Sequence, residues 1–538
     1  MASLESPSGS GAQAAAQIGQ LGETFLTTGA RMAVAIALGL LAARLIRRGG
    51  AHWGWAAVTG LAAYGLRTEL GGIGPALIVG AGVAAWRGRR LHRRDLDTGA
   101  DVGRAARSVP SPQTVARALL RRAGEASGAW SWRSVGAREE LVLGRGADGQ
   151  PVSIPFGGAA GRHTLVVGAT GSGKTVTQTL MALGAIERGL AAIVVDPKGD
   201  RSLRASLRRA ALAHGREFLE WTPAGPATYN PYGRGSETEI ADRLLAGERF
   251  TEPHYLRQAQ RYLGHVVRAM RSNGDQVTLE SIVRLLDPSA LEELLRLLPQ
   301  AEAEAGHGYL DSLTPRQLRD LAGVRDRLAI LTESDVGRWL DPRRGEGARI
   351  ELIDAARSGA VVYFGLDSDS RPLLAQMLGA AVVQDLQSTI AALQGEPAPT
   401  LVLIDEFSAV AAEQVVALFG RARSAGFSLL LGTQELSDLR LPGRERLLEQ
   451  ILGNLSALLA HRQVVPASAE LIAAMGGSRG AWRVSFSSDG RSTRSRTREP
   501  RLEPEDLMGL EPGRCVVVDL GAPAGASIVR ILPREGGR

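Results

Sequence analysis

The sequence has 538 residues, enough for two or three domains, and its 44% hydrophobic and 22% charged residues exclude wholesale disorder. Its single cysteine, Cys515, excludes an intramolecular disulfide and a thiolate metal cluster. A net charge of +7 and a pI near 10.0 favour an anionic partner, nucleic acid or a phospholipid surface, although an arginine-rich composition by itself also raises the pI.

The first 94 residues predict a mobile tail followed by a membrane anchor. Residues 1–23 are rich in serine, glycine, alanine and glutamine, a composition typical of a mobile tail. Three apolar stretches with aromatic margins follow, at 24–46, 51–66 and 71–86. The last two are shorter than the roughly 20 residues of a spanning helix, so a buried helical hairpin in a soluble domain is the alternative.

Flanking charges predict the orientation of this anchor, residues 24–94. A dense block of arginines at 87–94 follows the last apolar stretch, and the positive-inside rule places this end in the cytoplasm. Three spans fit the charges better and two fit the lengths better, so both topologies stay open. The flanks of the first apolar stretch do not indicate a cleaved signal peptide. Residues 95–135 then predict a polar connector.

The sequence GRHTLVVGATGSGKT at 161–175 predicts a buried strand, a glycine-rich turn and a helix that begins near Lys174. A hairpin is predicted just before it, at 141–155. In a strand-turn-helix unit, backbone N–H groups and the helix N-terminus converge on a polyphosphate. The last eight residues match the phosphate-binding loop pattern at every position: Gly168, Ala169, Thr170, Gly171, Ser172, Gly173, Lys174 and Thr175.

This loop predicts a nucleotide site with Mg²⁺. Lys174 is expected to reach the β- and γ-phosphate oxygens, and the hydroxyl of Thr175 is expected to ligate the metal. The glycines let the backbone come close to the phosphates. A chance match in a glycine-rich chain is the alternative, but the pattern also needs the lysine and the strand and helix around it.

A second lysine follows the next predicted strand, at 191–195. Lysine occurs at only two positions in the chain, Lys174 and Lys198, and the second lies in the sequence DPKGD at 196–200. Polar residues at the carboxyl end of a parallel strand lie on the ligand face of an open α/β sheet. A functional role for this lysine and a turn shaped by the neighbouring proline and glycine are equal alternatives.

Residues 236–345 lack the periodicity of strands, and apolar residues at helical spacing predict helices at 238–271, 278–286 and 314–331. Strands resume at 360–366, so this segment reads as an all-α domain inserted into an α/β core. The expected organisation is a tail (1–23), an anchor (24–94), a connector (95–135), the first part of the nucleotide-binding domain (136–235), the all-α insert (236–345) and the second part of the nucleotide-binding domain (346–538).

Two carboxylates follow a predicted buried strand in LVLIDEF, at 401–407. Asp405 is expected to hold the Mg²⁺ shell, and Glu406 to position and deprotonate the attacking water. The next strand, at 428–431, ends before Gln434, whose amide is expected to contact the γ-phosphate or the water and to sense hydrolysis. A helix-capping role is the alternative for this glutamine.

Two arginine features stay open. Arg421 and Arg423 end the helix after the acidic pair, where an arginine finger toward a neighbouring subunit and a solvated helix end are alternatives. The segment 483–501 predicts a hairpin with arginines along it. It would contact a phosphate backbone independently of sequence, or simply be solvated, because aromatic residues for base stacking are nearly absent.

The assembled pattern resembles the type IV coupling proteins of conjugation and secretion systems, the TraD/TraG family within the wider HerA–FtsK group of hexameric motor ATPases. The resemblance covers Val142 to the C-terminus. It rests on an anchor before the core, RHTLVVGATGSGKT, VVDPKGD, the Tyr229-Asn230-Pro231 step, the helical insert, LVLIDEF and GTQ. It implies an α/β fold, a RecA-like P-loop core with an inserted all-α domain and an N-terminal transmembrane helical anchor.

The resemblance also implies a mechanism and partners. It implies a homohexamer on the inner membrane, multi-pass, with its ATPase body in the cytoplasm, which uses ATP and Mg²⁺ to move DNA through a central channel. Relaxase-bound single-stranded DNA is favoured over duplex DNA, and the relaxase and secretion-channel proteins are the expected partners. The all-α insert would recognise the substrate.

Two rival functions remain. One is a double-strand DNA pump of the FtsK-like type, which a C-terminal winged-helix DNA reader would favour, but no helix-turn-helix pattern follows Gly476. The other is a membrane-tethered adaptor that binds ATP and recruits protein substrates. The pair Asp405 and Glu406 counts against an adaptor, because an adaptor needs no residue that activates water.

Overall fold

The computed structural model describes residues 32–43, 45, 54–65, 74–98, 140–157, 161–247, 252–345, 347–410, 412–440, 446–486, 492–520 and 525–533. The chain divides into two compact units, Met1–Ser134 with Gly480–Arg498, and Val135–Arg479 with Glu499–Arg538. The phosphate loop, the acidic pair and Gln434 all lie in the second unit.

The N-terminal part of the first unit is helical where it is described, at 32–43, Gly54–Gly65 and Gly74–Thr98. The last helix runs through the predicted apolar stretch and on into the arginine block. Among the described residues, no helix combines the length and the apolar character needed to cross a membrane. The predicted anchor stays a prediction, and the predicted tail and most of the predicted connector lie outside the described residues.

The second unit is built on a mixed sheet with the order β2-β1-β15-β14-β11-β3-β10-β9-β4-β8-β5, eleven strands among the described residues. Strands β6 and β7 of this unit form a separate sheet, and β12 and β13, whose residues 480–498 belong to the first unit, form another. The strands are β1 (Glu140–Gly146), β2 (Pro151–Pro155), β3 (Thr164–Val167), β4 (Ala191–Asp196), β5 (Phe218–Trp221), β6 (Thr228–Tyr229), β7 (Arg349–Ile350), β8 (Val361–Gly365), β9 (Thr400–Ile404), β10 (Phe427–Thr433), β11 (Ala457–Ala460), β12 (Ser478–Phe486), β13 (Ser492–Pro500), β14 (Arg514–Asp519) and β15 (Gly525–Ile531).

The central strands β11, β3, β10, β9, β4, β8 and β5 run parallel to one another. The strands β14, β15, β1 and β2 extend the sheet with antiparallel pairing. Both faces of the parallel part are covered, since Leu165 and Val167 of β3 belong to one apolar cluster and Val166 to the other. Such two-sided burial explains why these strands read as continuous apolar runs in the sequence.

Helices of the second unit cover both faces of this sheet. The phosphate-loop helix, Lys174–Glu187, packs on one face, and the long core helix, Pro372–Ala392, packs on the other. The remaining helices of this unit are Arg201–Ala213, Glu237–Leu245, Pro253–Ser272, Leu279–Leu285, Pro288–Leu295, Gln300–Asp311, Pro315–Glu333, Gly337–Leu340, Leu352–Ser358, Phe407–Val410, Ala412–Ala422, Leu447–Asn454, Pro466–Met475, Pro504–Met508 and the 3-10 helix Leu436–Leu439.

The described elements between β6 and β7 are all helices, from Glu237 to Leu340. The chain leaves the core through β6 and returns through β7, and the two strands pair in parallel at Thr228–Arg349 and Tyr229–Ile350. The predicted single helix at 238–271 is wrong, because Glu237–Leu245 and Pro253–Ser272 are separate helices. Proline at the first position of the second helix fits a helix start and not a helix interior.

Several other predicted elements are confirmed. Strands β1 and β2 pair as an antiparallel hairpin, and the strands before the phosphate loop and before the acidic pair are fully buried. The arginine-rich segment forms β12 and β13, while its predicted Asp-Gly turn lies outside the described residues. The sequence did not predict β5, β11 or β15, which are short or partly exposed and take their place from neighbouring strands.

Candidate nucleotide-binding site

The phosphate loop has the backbone that its glycines predict. Gly171 and Gly173 have φ angles of +76° and +106°, in the left-handed region that L-residues rarely adopt. At Gly168, an added Cβ would lie 2.5 Å from the Cβ of His461 and 2.8 Å from Ser172 Oγ. The helix begins at Lys174, directly after this turn, so its N-terminal N–H groups face the loop.

The loop also contains a buried polar atom without a partner. Ser172 is 1% exposed, and its hydroxyl oxygen has no hydrogen-bond partner among the described residues. A buried hydroxyl that makes no hydrogen bond costs free energy, so an oxygen-rich ligand would stabilise it. Together with the helix N-terminus and the glycine backbone, this atom indicates that the loop fits a phosphate group.

Glu406 is the centre of the ion-pair network in this site. It follows β9 and has a φ angle of +43°, an uncommon value for a residue with a side chain. Its Oε1 atom lies 2.7 Å from Lys174 Nζ, 3.2 Å from Lys198 Nζ and 3.0 Å from Gln434 Nε2. Three elements that are remote in sequence therefore meet at one carboxylate oxygen.

The charge state of Glu406 follows from these contacts. Burial, the largest single cause, raises the pKa of this carboxyl group, but the hydrogen bond and the charge of Lys174, the hydrogen bond of Gln434 and the charge of Lys198 together lower it. The net pKa lies below its ordinary value, so the group is ionised at neutral pH. An ionised carboxylate can accept a proton from water, as a general base must.

Asp405 is held by a residue that the sequence did not predict. Gln178 Nε2 donates to Asp405 Oδ1 at 2.7 Å, and Lys174 Nζ lies 3.5 Å from the same oxygen. A Cβ at Gly432 would collide with both Gln178 Nε2 and Asp405 Oδ1, so the glycine in the GTQ sequence makes room for this contact. Gln178 lies four residues after Lys174, which puts both on one helix face, and this spacing was the available signal.

Gln434 lies beside the phosphate loop, as the sequence predicts for the carboxyl end of β10. Its Nε2 atom donates to Glu406, and its Oε1 atom accepts from Thr170 Oγ1 at 3.3 Å. The 3-10 helix that follows is capped by Glu435 and not by Gln434. The amide thus links the loop to the acidic pair.

Asp196 fixes the turn that carries Lys198. The carboxylate accepts backbone hydrogen bonds from Lys198, Gly199 and Asp200 at 3.1, 3.0 and 2.6 Å. The hydroxyl of Tyr363 donates to the same carboxylate at 2.7 Å. Burial raises the pKa of Asp196 above its ordinary value, although the hydroxyl and the backbone donors oppose this shift. The segment is therefore a hydrogen-bonded turn that brings Lys198 to Glu406, and a functional role for this lysine stays a prediction.

His461 directly follows the neighbouring strand β11 and supports the phosphate loop. The sequence predicted neither this strand nor this contact. Its Nε2 atom lies 2.9 Å from Thr177 Oγ1, and burial, with the charge of Lys174, lowers its pKa to about 4. The backbone N–H of Ala169 donates to the carbonyl of Arg462, and that of Gly513 to the carbonyl of Ser172. The loops after β11 and before β14 therefore hold the phosphate loop from behind.

Two of the remaining predicted residues lie away from this site. Arg421 and Arg423 precede β10, at the edge of the sheet opposite to the phosphate loop, and Arg423 donates to the carbonyl of Asn454 at 2.7 Å. Thr175, the predicted metal ligand, lies in the first turn of the phosphate-loop helix, at the same edge of the sheet as Asp405. The single cysteine, Cys515, is buried and unbonded in β14.

The sequence of this chain matches a known family. The profile of a family described as the DNA-binding domain of type IV secretion-system coupling proteins matches residues 152–518. The chain belongs to this family of coupling proteins. A curated relative of this coupling protein is the type 4 coupling protein DotL of Legionella pneumophila, 22% identical over 351 residues. The match covers 53% of this chain and 45% of DotL, so the coupling protein described here matches about half of DotL.

Solved structures share the fold of this coupling protein. The bacterial conjugative coupling protein TrwBdeltaN70, in an unbound form, matches with a TM-score of 0.55 and 18% identity, over 73% of this chain and 89% of that one. TrwB in complex with ADP and Mg²⁺ matches with a TM-score of 0.55 and 17% identity, over 75% and 91%. VirB4 of Thermoanaerobacter pseudethanolicus matches with a TM-score of 0.50 and 15% identity, over 74% and 98%.

Proposed function

We propose that this coupling protein is an ATPase that couples ATP hydrolysis to the movement of DNA toward a type IV secretion channel. One observation carries the proposal: the phosphate-loop lysine, the acidic pair and Gln434 converge at one edge of a parallel sheet. A purely structural role for these ion pairs would not explain the glycine loop beside them or its buried hydroxyl, Ser172 Oγ, which has no hydrogen-bond partner among the described residues.

ATP with Mg²⁺ is the ligand that this site fits. The loop residues from Gly168 to Thr175 would bind the phosphates, and Thr175 with Asp405 would hold the metal. The metal, when bound, neutralises part of the charge on the phosphates. The solved TrwB structures in complex with ADPNP and with ADP and Mg²⁺ support the assignment by likeness of fold.

The chain's own residues would divide the chemistry. Lys174 would leave Glu406 and pair with the β- and γ-phosphate oxygens. Glu406, ionised in the described structure, would orient the attacking water and accept its proton. Gln434 contacts both Glu406 and the loop residue Thr170, so the loss of the γ-phosphate would alter its contacts and signal to the rest of the subunit.

The finer parts of the proposal concern substrate and assembly. DNA is supported by the family description and by the net charge of +7, and the arginines of β12 and β13 offer a sequence-independent contact to its phosphates. A homohexamer at the inner membrane, with relaxase-bound single-stranded DNA as the substrate, follows from the resemblance to hexameric motors. The apolar stretches within residues 24–94 support the anchor.

ATP hydrolysis by the full-length protein in detergent micelles tests this function, with and without single-stranded and duplex DNA. We expect DNA to stimulate hydrolysis, and Lys174→Ala to abolish it. The isosteric change Glu406→Gln should keep nucleotide binding and lower kcat by about 10²- to 10⁴-fold, the usual contribution of a general base.

Three results would lead to different conclusions. Stimulation by single-stranded DNA alone would support the proposed substrate, and stimulation by duplex DNA alone would favour the double-strand pump. ATP binding without hydrolysis, unchanged by Glu406→Gln, would overturn the motor function in favour of an adaptor.

A further inference from the structure

The two lysines of the chain meet at one atom. Lysine occurs only at positions 174 and 198, while arginine supplies the rest of the 63 basic residues. The Nζ atoms of Lys174 and Lys198 lie 2.7 and 3.2 Å from the same oxygen, Oε1 of Glu406. A compact ammonium and a planar guanidinium are not interchangeable in such a contact. The phosphate loop accounts for the first lysine but not for the second.

Lys198 is presented by a rigid turn. Three consecutive backbone N–H groups of this turn, including that of Lys198 itself, donate to the buried carboxylate of Asp196. Gly199 has a φ angle of +76°, and Asp200 caps the helix Arg201–Ala213 through two further hydrogen bonds. The backbone position of this lysine is thus fixed before any ligand binds, which is what a positioning residue requires.

More hydrogen-bond donors converge on Oε1 of Glu406 than the oxygen has lone pairs. Lys174, Lys198 and Gln434 converge on it, whereas a carboxylate oxygen offers two lone pairs. Lys174 is 8% exposed and lies at the start of the loop helix, where the phosphates of a nucleotide would compete for it. The side chain of Lys198 is 46% exposed and reaches Glu406 from the turn after β4, the strand that neighbours β9 on the side away from the phosphate loop.

We propose that Lys198 is a positioning residue that holds Glu406 in place when Lys174 moves to the phosphates of the nucleotide. This inference rests on the proposed ATPase function. With Lys174 gone, Lys198 and Gln434 are the two described donors that remain at Oε1, and two donors match its two lone pairs. Because the turn fixes the backbone of Lys198, this lysine keeps the carboxylate of Glu406 directed at the water and prevents it from moving with Lys174.

Steady-state ATP hydrolysis and nucleotide affinity of full-length variants test this role. We expect Lys198→Met to lower kcat by about 10- to 100-fold, the cost of a misplaced catalytic group. The affinities for ADP and for a non-hydrolysable ATP analogue should stay within about twofold of the parent, because the lysine contacts Glu406 and not the nucleotide. Lys198→Arg, which keeps the charge, should recover part of kcat. Arg201→Met, an exposed arginine three residues away, is the matched control and should retain the parent kcat.

A double-mutant cycle identifies Glu406 as the target. If Lys198 acts through Glu406, the double variant Lys198→Met/Glu406→Gln should be no slower than Glu406→Gln alone. Additive losses would overturn the proposal. So would a loss of affinity for the ATP analogue but not for ADP, since that result assigns Lys198 to the γ-phosphate.

The two proposals fail in distinguishable ways. An active parent with an unchanged Lys198→Met variant would overturn only the role of Lys198. A parent that hydrolyses no ATP would overturn the proposed function and this inference together.

Discussion

The pair Lys174–Glu406 at the phosphate loop and the pair Arg243–Asp385 below the helical insert are both buried, but their surroundings differ. Arg243 lies on the first insert helix, Glu237–Leu245, and Asp385 on the long core helix. Arg243 is 1% exposed, and its Nη1 atom lies 3.2 Å from Asp385 Oδ1. The hydroxyl of Tyr229, in β6, donates to the other carboxylate oxygen at 2.8 Å.

The cluster below the insert is held by fixed backbone partners as well as by charge. Arg243 donates to the carbonyl oxygens of Pro231 and Arg234 and to Ser388 Oγ. Burial raises the pKa of Asp385 to about 6, although Arg243 and Tyr229 oppose the shift. If the planar guanidinium of Arg243 moved away, its buried acceptors would lose their hydrogen bonds. Because Arg243 lies in the insert and Asp385 in the core helix, this cluster joins the insert to the core.

The phosphate-loop pair differs because each partner has an alternative. Glu406 keeps two other donors, Lys198 and Gln434, if Lys174 moves, and under the proposed function the ammonium of Lys174 would bind the phosphates of the nucleotide. The difference teaches that burial and charge alone do not separate a structural ion pair from a functional one. What separates them is whether each partner can be satisfied when the other leaves.

The largest expected effect is the difference in the free energy of unfolding between the variants Arg243→Met and Lys174→Met. Removing Arg243 leaves the buried Asp385 without its cation, so the free energy of unfolding should fall by about 3 to 5 kcal/mol. Lys174→Met should lower it less, because Glu406 retains Lys198 and Gln434 and Asp405 retains Gln178 as hydrogen-bond donors. Denaturant unfolding of both full-length variants measures the difference.

A matched control removes the stranded charge. Adding Asp385→Asn to Arg243→Met should recover a large part of the lost stability, since a neutral amide is cheaper to bury than an unpaired carboxylate. Equal destabilisation by Arg243→Met and Lys174→Met would contradict the distinction between the two clusters.

A smaller effect is expected from Gln178→Leu, which removes the amide that orients Asp405. Residues that hydrogen-bond to metal ligands typically contribute about 10- to 100-fold in metal affinity, so the Mg²⁺ concentration for half-maximal ATP hydrolysis should rise by that factor. Stability should change little, because leucine has a similar volume and the buried Gln178 Oε1, which lacks a partner among the described residues, is removed with it. Val176→Ala, at a 42% exposed residue of the same helix, is the control. An unchanged Mg²⁺ requirement would show that Asp405 needs no such support.

The smallest effect concerns His163, a buried base with no anionic partner among the residues that the structure describes. Burial, with the nearby charge of Arg423, lowers its pKa to about 3. Its Nδ1 atom accepts a hydrogen bond from the backbone N–H of Leu429, and its ring packs edge-on against Phe419. In contrast to the two ion pairs, no neighbouring group among the causes of this shift raises the pKa of His163 against the effect of burial.

The pH dependence of His163 has a definite sign. Below the unfolded pKa of about 6.5 the unfolded state binds the proton and the folded state does not, so stability falls as the pH falls. Relative to His163→Asn, which keeps an acceptor, the parent should lose about 2 kcal/mol between pH 7 and pH 5. Urea unfolding of both proteins at the two pH values measures this. A pH-independent difference would mean that the ring is protonated or hydrated in the folded state.

The sequence predicted the phosphate loop, the acidic pair and Gln434 because each depends on local order. A buried strand, a glycine turn and a helix must follow one another in the chain for the loop to exist, and the residue types at 168–175 report all three. The roles of these residues in hydrolysis stay predictions. The contact of Gln178 with Asp405 was not predictable in this way, since it joins two elements that are 227 residues apart.

The sequence by itself predicted the parallel α/β core, the helical character of the segment between β6 and β7, and the phosphate loop with the acidic pair and Gln434. Periodicity and turn chemistry act over a few residues, so they are legible without a structure. Only the tertiary structure decided that both lysines share Glu406, that His461 supports the loop from β11, and that Arg243 locks the insert to the core. These contacts depend on the order of strands in the sheet and on burial, which no local pattern encodes.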